Sequence, residues 1–244
     1  MTVKNSRIVL IGGSSGIGLA TAKVAVARGA NVVICGRSAE RLASAAKEIG
    51  KNVETFQVDA TAEKNLPPLF SKIGPFDHLA TFIPAAPEGS THTKAALFSK
   101  MDSDSFANVF RNRFWTQCWA ARHGSPHIRG NGSIVFVSNG TPRRLMLTQT
   151  ASASAVGALD VLARMLALEL PPIRVNTIVP GFTATPTLSR VQNDVKSMWD
   201  DIVQTQPIKR LGTVDEVADA ILFLMDNDFT TGARLEVDGG FLVH

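Results

Sequence analysis

The stretch from Arg7 to Gly18 constrains this chain more than any other. An apolar run of strand length, Ile8-Val9-Leu10-Ile11, meets the turn Gly12-Gly13-Ser14-Ser15-Gly16-Ile17-Gly18, which opens into Leu19 to Val26 with apolar residues at helical spacing. Strand, glycine turn and helix in that order make a cradle for a pyrophosphate. Gly12 lets the chain leave the strand tightly, Gly16 removes a side chain where backbone must approach the ligand, and Gly18 allows close packing of helix on strand. The free N–H groups and positive dipole end of the helix then face the anionic oxygens, with Ser14, Ser15 and Ile17 in the same turn. A flexible loop of the same composition is the competing reading, and it does not account for the order of the elements.

Further strands are expected at Asn31–Cys35, Val53–Gln57, His78–Phe82, Ser133–Val137, Arg174–Val179 and Arg234–Val237. Helices are expected at Ala39–Glu48, from Pro67-Pro68 to Ile73, at Asp104–His123 and Ala151–Leu170, and from the capping box Thr213 to Glu216 on to Met225. Alternation of this kind predicts an α/β fold: a doubly wound parallel sheet of Rossmann type, about seven strands with helices on both faces. At 244 residues one domain, 1–244, is expected, with 182–206 placed as a lid over a substrate. Phe182, Leu188, Met198 and Trp199 make that lid largely apolar. The helix 151–170 is apolar nearly all round, which predicts cover from a partner subunit or from a neighbouring helix of the same chain.

Composition narrows the class. With 45% hydrophobic and 19% charged residues the chain reads as globular, and a net charge of +4 without a basic stripe argues against a nucleic-acid partner. No run reads as approaching the roughly 18 to 20 apolar residues that span a bilayer, so no membrane partner and a cytoplasmic location are expected. Cys35 and Cys118 lie in apolar stretches and are expected reduced and buried, and no metal site is expected.

About 20 residues beyond such a glycine turn a dinucleotide fold inspects the adenosine ribose, and an acid there binds the 2′-hydroxyl of NAD. Arg37 stands there instead, followed by Ser38, with no acid before Glu40. A guanidinium matches a 2′-phosphate in charge and fork geometry, so NADP(H) is the expected cofactor. Asp59, at the carboxyl end of the third strand, either contacts the adenine or caps the segment after it.

Over essentially its whole length the chain resembles the short-chain dehydrogenase/reductase family. Ile11-Gly12 to Gly18 is similar to that family's Thr-Gly-x-x-x-Gly-x-Gly turn. Arg37 resembles its NADP-selecting position and Asp59 its adenine-contacting acid. Pro180, Gly181, Thr183 and Thr185 lie in a segment like the one that binds the nicotinamide carboxamide. The resemblance implies a nicotinamide-dependent oxidoreductase and a homodimer or homotetramer.

The proton machinery departs from the family. Alignment puts Asn139 where the family has its serine, Ala151 in the tyrosine position, Ala155 in the lysine position and Arg113 in place of the catalytic asparagine. No register can restore the dyad, because the chain has no tyrosine and no lysine between Lys100 and Lys196. Arg113, Arg143 and Arg144 can hold a developing oxyanion without giving up a proton, Asn139 can donate an amide hydrogen bond, and His92 has a pKa suited to donation. The expectation is an NADP(H)-dependent oxidoreductase acting on a small carbonyl, imine or alcohol with non-standard proton handling, using Asn139 and Arg113. The alternatives are a non-catalytic NADP(H)-binding protein, a sensor or silent subunit, and non-redox chemistry on the same scaffold.

Overall fold

The structure is a computed structural model, and it describes residues 3–82, 97–140, 142–186 and 201–243. Seven parallel strands form one sheet: β1 (Arg7–Ile11), β2 (Asn31–Gly36), β3 (Val53–Gln57), β4 (Phe76–Thr81), β5 (Ile128–Val137), β6 (Arg174–Pro180) and β7 (Arg234–Val237). Their order, β3-β2-β1-β4-β5-β6-β7, reverses direction between β1 and β4. That reversal opens a crevice at the carboxyl ends of the central strands.

The apolar run of β1 has no polar alternation because both of its faces are buried. Ile8 and Leu10 join one core with Val32, Ile34, Val135 and Ile178, beneath α1 (Gly16–Ala27), α2 (Ala39–Ile49) and α7 (Val214–Asp226). Val9 and Ile11 join the opposite core with Val33, Leu79, Ile134 and Phe136, beneath α3 (Leu66–Ile73), α5 (Thr116–Gly124) and α6 (Thr150–Glu169). The expected doubly wound architecture is therefore the one observed. The capping box is present as well: Thr213 Oγ accepts from the Glu216 backbone N–H while the Glu216 carboxylate accepts from the Thr213 N–H.

Several boundaries differ from expectation, each for a local reason. β5 begins at Ile128, since Ile128 pairs with Phe76 of β4 before an irregularity in register admits Ser133 opposite His78. β4 ends at Thr81, although the Phe82 N–H still donates to the Ile11 carbonyl. The long helix expected at 104–123 is α4 (Ser103–Phe110), a π-helical segment over Arg111–Trp115, and α5. Cys35 is buried, and burial pushes its thiol up to about 12, whereas Cys118 is only half-buried.

Helix α6 corrects one expectation and sharpens another. Over Thr150–Glu169 it is long and apolar enough by length and composition to cross a bilayer, contrary to the expectation from sequence. Yet Ala155, Val156, Leu159 and Ala163 are buried, and the helix lies along β6, α4 and the π segment as a core helix does. A neighbouring helix of the same chain thus covers part of it, while Val161, Met165 and Leu168 stay exposed.

Candidate active site

The glycine turn joins β1 to α1, and each of its key glycines has a distinct physical reason. Gly12 has φ +96, and a Cβ there would lie 3.1 Å from the Phe82 Cβ at the end of β4. Gly16 has φ +54, a conformation that L side chains rarely adopt. A Cβ on Gly18 would sit 2.3 Å from the Gly12 carbonyl oxygen, so only glycine lets α1 start this close to the strand. Ser15 is the N-cap in extended conformation, its side chain makes no cap hydrogen bond, and the first turn of α1 holds no acidic residue. The positive end of α1 is left to an incoming anion. Ser14 leans toward β2, its Oγ 3.3 Å from where a Gly36 Cβ would lie, and Ile17 packs against the core.

A cleft runs from this turn past the end of β2 to β3, lined by Gly12, Gly36, Arg37, Asp59 and Ala60 among others. Arg37 is exposed at its edge, and its carbonyl accepts a hydrogen bond from Gln57 Nε2 at 2.9 Å. Ser38 caps α2, accepting from the Arg41 N–H at 3.2 Å. Asp59 accepts from the N–H and hydroxyl of Thr61 at 3.0 and 2.7 Å. Its carboxylate therefore shapes the local turn, as one of the two alternatives expected from sequence has it, and the residue also lines the cleft. These features fit a dinucleotide, whose pyrophosphate would lie on the α1 N-terminus and whose adenosine would lie toward Arg37 and Asp59.

At the other end of the crevice β6 runs into Pro180-Gly181. The Gly181 N–H donates to Val237 of β7 at 3.0 Å, and a Cβ on Gly181 would lie 2.6 Å from the Asp238 Cα, so this crossing also needs glycine. Thr183 is buried, with its hydroxyl donating to the Gly181 carbonyl at 3.1 Å. Thr185 approaches the glycine turn, with its Cβ 3.7 Å from where a Gly16 Cβ would be. The segment after β6 thus comes up against the turn after β1. Leu188, Met198 and Trp199 of the expected lid, and His92, lie outside the described residues.

The residues that the sequence resemblance assigns to proton transfer lie at the end of β5, on α6 and in the π segment. Ser138 is buried and its hydroxyl donates to Asp160 at 3.2 Å, on the α6 side, while its neighbour Asn139 is half-buried. Ala151 and Ala155 are both buried on α6, with no group that can exchange a proton. Arg113 lies in the π segment. Its side chain makes no hydrogen bond or ion pair among the described residues, and burial lowers its pKa from the ordinary arginine value. Such a guanidinium remains a cation at any pH a protein survives.

Gln117, which the motifs in the sequence did not flag, anchors this region. Its amide is wholly buried, donating to the carbonyls of Arg113 at 2.9 Å and Val137 at 3.2 Å and accepting from the Thr81 hydroxyl at 2.6 Å and the Val137 N–H at 3.2 Å. One side chain therefore ties the ends of β4 and β5 to the π segment that carries Arg113. The available signal was a lone amide within a helix whose neighbouring Ala120 and Ala121 are core residues. Arg143 and Arg144 do not join the candidate site through the contacts they make. Arg143 donates to Glu236 at 2.6 Å, and Arg144 donates to the Phe241 carbonyl at 2.8 Å with its guanidinium 4.4 Å from the centre of that ring.

Fold and site together define a dinucleotide-binding α/β protein. A family model described as enoyl-(acyl carrier protein) reductase matches residues 12–242. The chain is 34% identical to the L-xylulose reductase of Mus musculus over 97% of this chain and 96% of that one. It is 31% identical to a short-chain dehydrogenase/reductase of Stachybotrys chlorohalonatus, over 98% of each. Among solved structures, a short-chain type dehydrogenase/reductase from Mycobacterium ulcerans superposes with a TM-score of 0.88 at 26% identity, covering 100% of this chain and 92% of that one. A small-chain dehydrogenase solved in complex with NADPH superposes at 0.78 with 26% identity, covering 99% and 100%. The chain belongs to the short-chain dehydrogenase/reductase family, whose members are oxidoreductases that use nicotinamide cofactors.

Proposed function

We propose that this chain is an NADP(H)-dependent oxidoreductase acting on a small carbonyl, imine or alcohol, with a proton route that bypasses the family's tyrosine and lysine. The observation that carries the reading is the glycine turn: Gly12, Gly16 and Gly18 hold a backbone that no side chain at those positions would fit without strain or collision, beneath a helix N-terminus free of acid. Arg37 at the rim of the adenosine cleft supports NADP(H) over NAD(H) by charge. Ser14, Ser15 and the α1 backbone would hold the pyrophosphate, and Pro180 to Thr185 the nicotinamide end.

When bound, the nicotinamide supplies or accepts the hydride. Reduction of a carbonyl leaves negative charge on its oxygen, and a permanent cation in a poorly solvated site stabilises such charge strongly. Arg113 and Asn139 are the groups that would hold that oxygen. Arg113 keeps its proton throughout, so the proton that completes the alcohol comes from water. Loss of a positioned general acid typically lowers a rate by about 10² to 10⁴, which still permits turnover. A homo-oligomer is part of the same proposal, supported by the exposed apolar strip of α6.

The test is titration with NADPH and NADH followed by quenching of Trp115 and Trp119 fluorescence, then hydride transfer to a panel of carbonyls, imines and activated alkenes. NADPH is expected to bind at least about tenfold more tightly than NADH, the worth of one charge-assisted contact, with Arg37→Ala abolishing the preference. Turnover that falls in both Arg113→Met and Asn139→Ala supports the assigned roles. A second reading, a non-catalytic NADP(H)-binding protein, is favoured by the burial of Ala151 and Ala155 where the dyad would stand. NADPH binding without hydride transfer to any member of the panel selects it.

A further inference from the structure

Arg113 lies one helical turn before Thr116, which lines the cofactor cleft, and before Gln117, whose amide accepts from Thr81 and donates to the Val137 carbonyl at the ends of β4 and β5. Residues three and four apart share a helix face, so Arg113 stands on the face of the π segment that meets the strand ends. The Gln117 amide also donates to the Arg113 carbonyl at 2.9 Å, which fixes the backbone there.

The guanidinium itself makes no hydrogen bond or ion pair among the described residues. Burial is what lowers its pKa, and no described carboxylate acts against that shift. Other arginines withdrawn from solvent all meet acceptors: Arg7 the Glu54 carboxylate, Arg234 the Asp160 carboxylate, and Arg174 the carbonyls of Leu224 and Met225. Yet Arg113 is not sealed. The residue is half-buried, and its nitrogens are not among the fully occluded unpartnered atoms found in the described residues, such as His78 Nε2 and Arg234 Nη2. An anion that pairs a desolvated cation of this kind removes a large penalty, and a guanidinium offers two parallel N–H groups that fit two oxygens side by side. Beside it the same segment supplies hydrocarbon, with the rings of Phe110 and Phe114 6.4 Å apart and those of Phe114 and Trp115 4.9 Å apart.

On the oxidoreductase reading, on which this inference rests, Arg113 holds the oxygen of the carbonyl under reduction. A neutral ketone gives the guanidinium fork one acceptor, and no charge until the hydride arrives. A 2-oxo carboxylate gives it two, because its keto oxygen and one carboxylate oxygen lie side by side on adjacent carbons, and it also brings the missing anion. We propose that the substrate of this chain is a small 2-oxo carboxylate, reduced to the 2-hydroxy carboxylate, with the Arg113 fork spanning the keto oxygen and one carboxylate oxygen. The keto carbon takes the hydride that the bound nicotinamide supplies, and the C=O π pair moves to oxygen. Water then gives that oxygen a proton and is left as hydroxide, while Arg113 keeps its own protons.

Two measurements on the full chain with NADPH test this. In the first, oxamate, an unreactive isostere of a 2-oxo acid, is titrated by calorimetry against methyl oxamate, its neutral ester. Oxamate is expected to bind at least about tenfold more tightly, as one charge-assisted hydrogen bond dictates. Arg113→Met should erase the difference, and Arg113→Lys, which keeps the charge without the fork, should restore part of it. The thermal transition of each variant without ligand shows that it has folded. In the second, NADPH oxidation is followed with 2-oxobutyrate, its methyl ester, and acetoacetate, whose carboxylate lies one carbon farther from the ketone. The kcat/KM for 2-oxobutyrate is expected to exceed that for acetoacetate, and its ratio to the ester's to fall at least about tenfold in Arg113→Met. The proposal is overturned if oxamate binds no better than its ester, if acetoacetate matches 2-oxobutyrate, or if Arg113→Met leaves the acid-to-ester ratio where it was. The first two of these comparisons need no variant. Transfer to neutral carbonyls with none to 2-oxobutyrate overturns it while the oxidoreductase reading stands. NADPH binding with no transfer to any carbonyl overturns that reading and the substrate assignment with it.

Discussion

At the scale of single residues, the glycines of the turn separate two kinds of necessity. Gly16 is required by its backbone angle, with the nearest side chain 3.7 Å from a Cβ placed there, so the space itself is open. Gly16→Ala should therefore cost about 1 kcal/mol, the penalty of left-handed backbone, while leaving α1 where it is. Gly18 is required by space, because its Cβ would strike the Gly12 carbonyl at 2.3 Å, and the clash is with backbone that cannot rotate away. Gly18→Ala should push α1 off β1, costing about 2 to 3 kcal/mol as overpacking does, and should weaken NADPH binding far more than Gly16→Ala. Urea denaturation beside the NADPH titration checks both, and equal losses of binding in the two variants would contradict the distinction. The glycines were legible from spacing alone. Which of the two reasons applied to each was not, because the answer depends on atoms brought in by other parts of the chain.

At the scale of elements, β4, β5 and β6 carry a buried polar row, His78 beside Ser133 beside Arg174. His78 Nδ1 lies 2.9 Å from Ser133 Oγ, its Nε2 is buried without a partner among the described residues, and burial lowers the imidazole to about 4, with Asp77 opposing the shift and Arg174 adding to it. A histidine whose folded pKa lies below its unfolded value of 6.5 takes up protons more readily when unfolded. Stability is thus unaffected above pH 6.5, falls as pH drops through 6.5 toward about 4, and levels off below. The difference amounts to about 3 kcal/mol across that window. His78→Phe should flatten the pH dependence of urea stability in that window by about this amount, and an unchanged slope would show that other groups carry it. The strands themselves were readable as apolar runs, and so was the capping box at Thr213. The π segment was not, since Arg111–Trp115 reads as ordinary helix and departs from it only where the buried Gln117 ties it to the strand ends.

At the scale of the whole molecule, α6 offers one face to the core and leaves Val161, Met165 and Leu168 in solvent, with Leu168 75% exposed. Exposed apolar strips of this kind mark association surfaces, and a symmetric assembly buries the same strip from both copies. Leu168→Glu is expected to reduce the mass seen by light scattering from a multiple of the chain's 26.1 kDa to that single value. A mass unaltered by the substitution would place the subunit contact elsewhere. Order, spacing and composition determined the sheet and its two helical layers, the glycine turn between β1 and α1, the arginine that follows β2 and the absence of any tyrosine, because each is set by neighbours along the chain or by the absence of a residue type. Tertiary structure decided what no local pattern encodes. It turned Ser138 toward Asp160, drew Arg143 to Glu236 and Arg144 to the Phe241 carbonyl, and set Arg113 in a desolvated position with no ion pair among the described residues. A side chain's partner is whatever the fold brings within about 3 Å of it, and for these residues that partner, or its absence, was settled by segments distant in sequence.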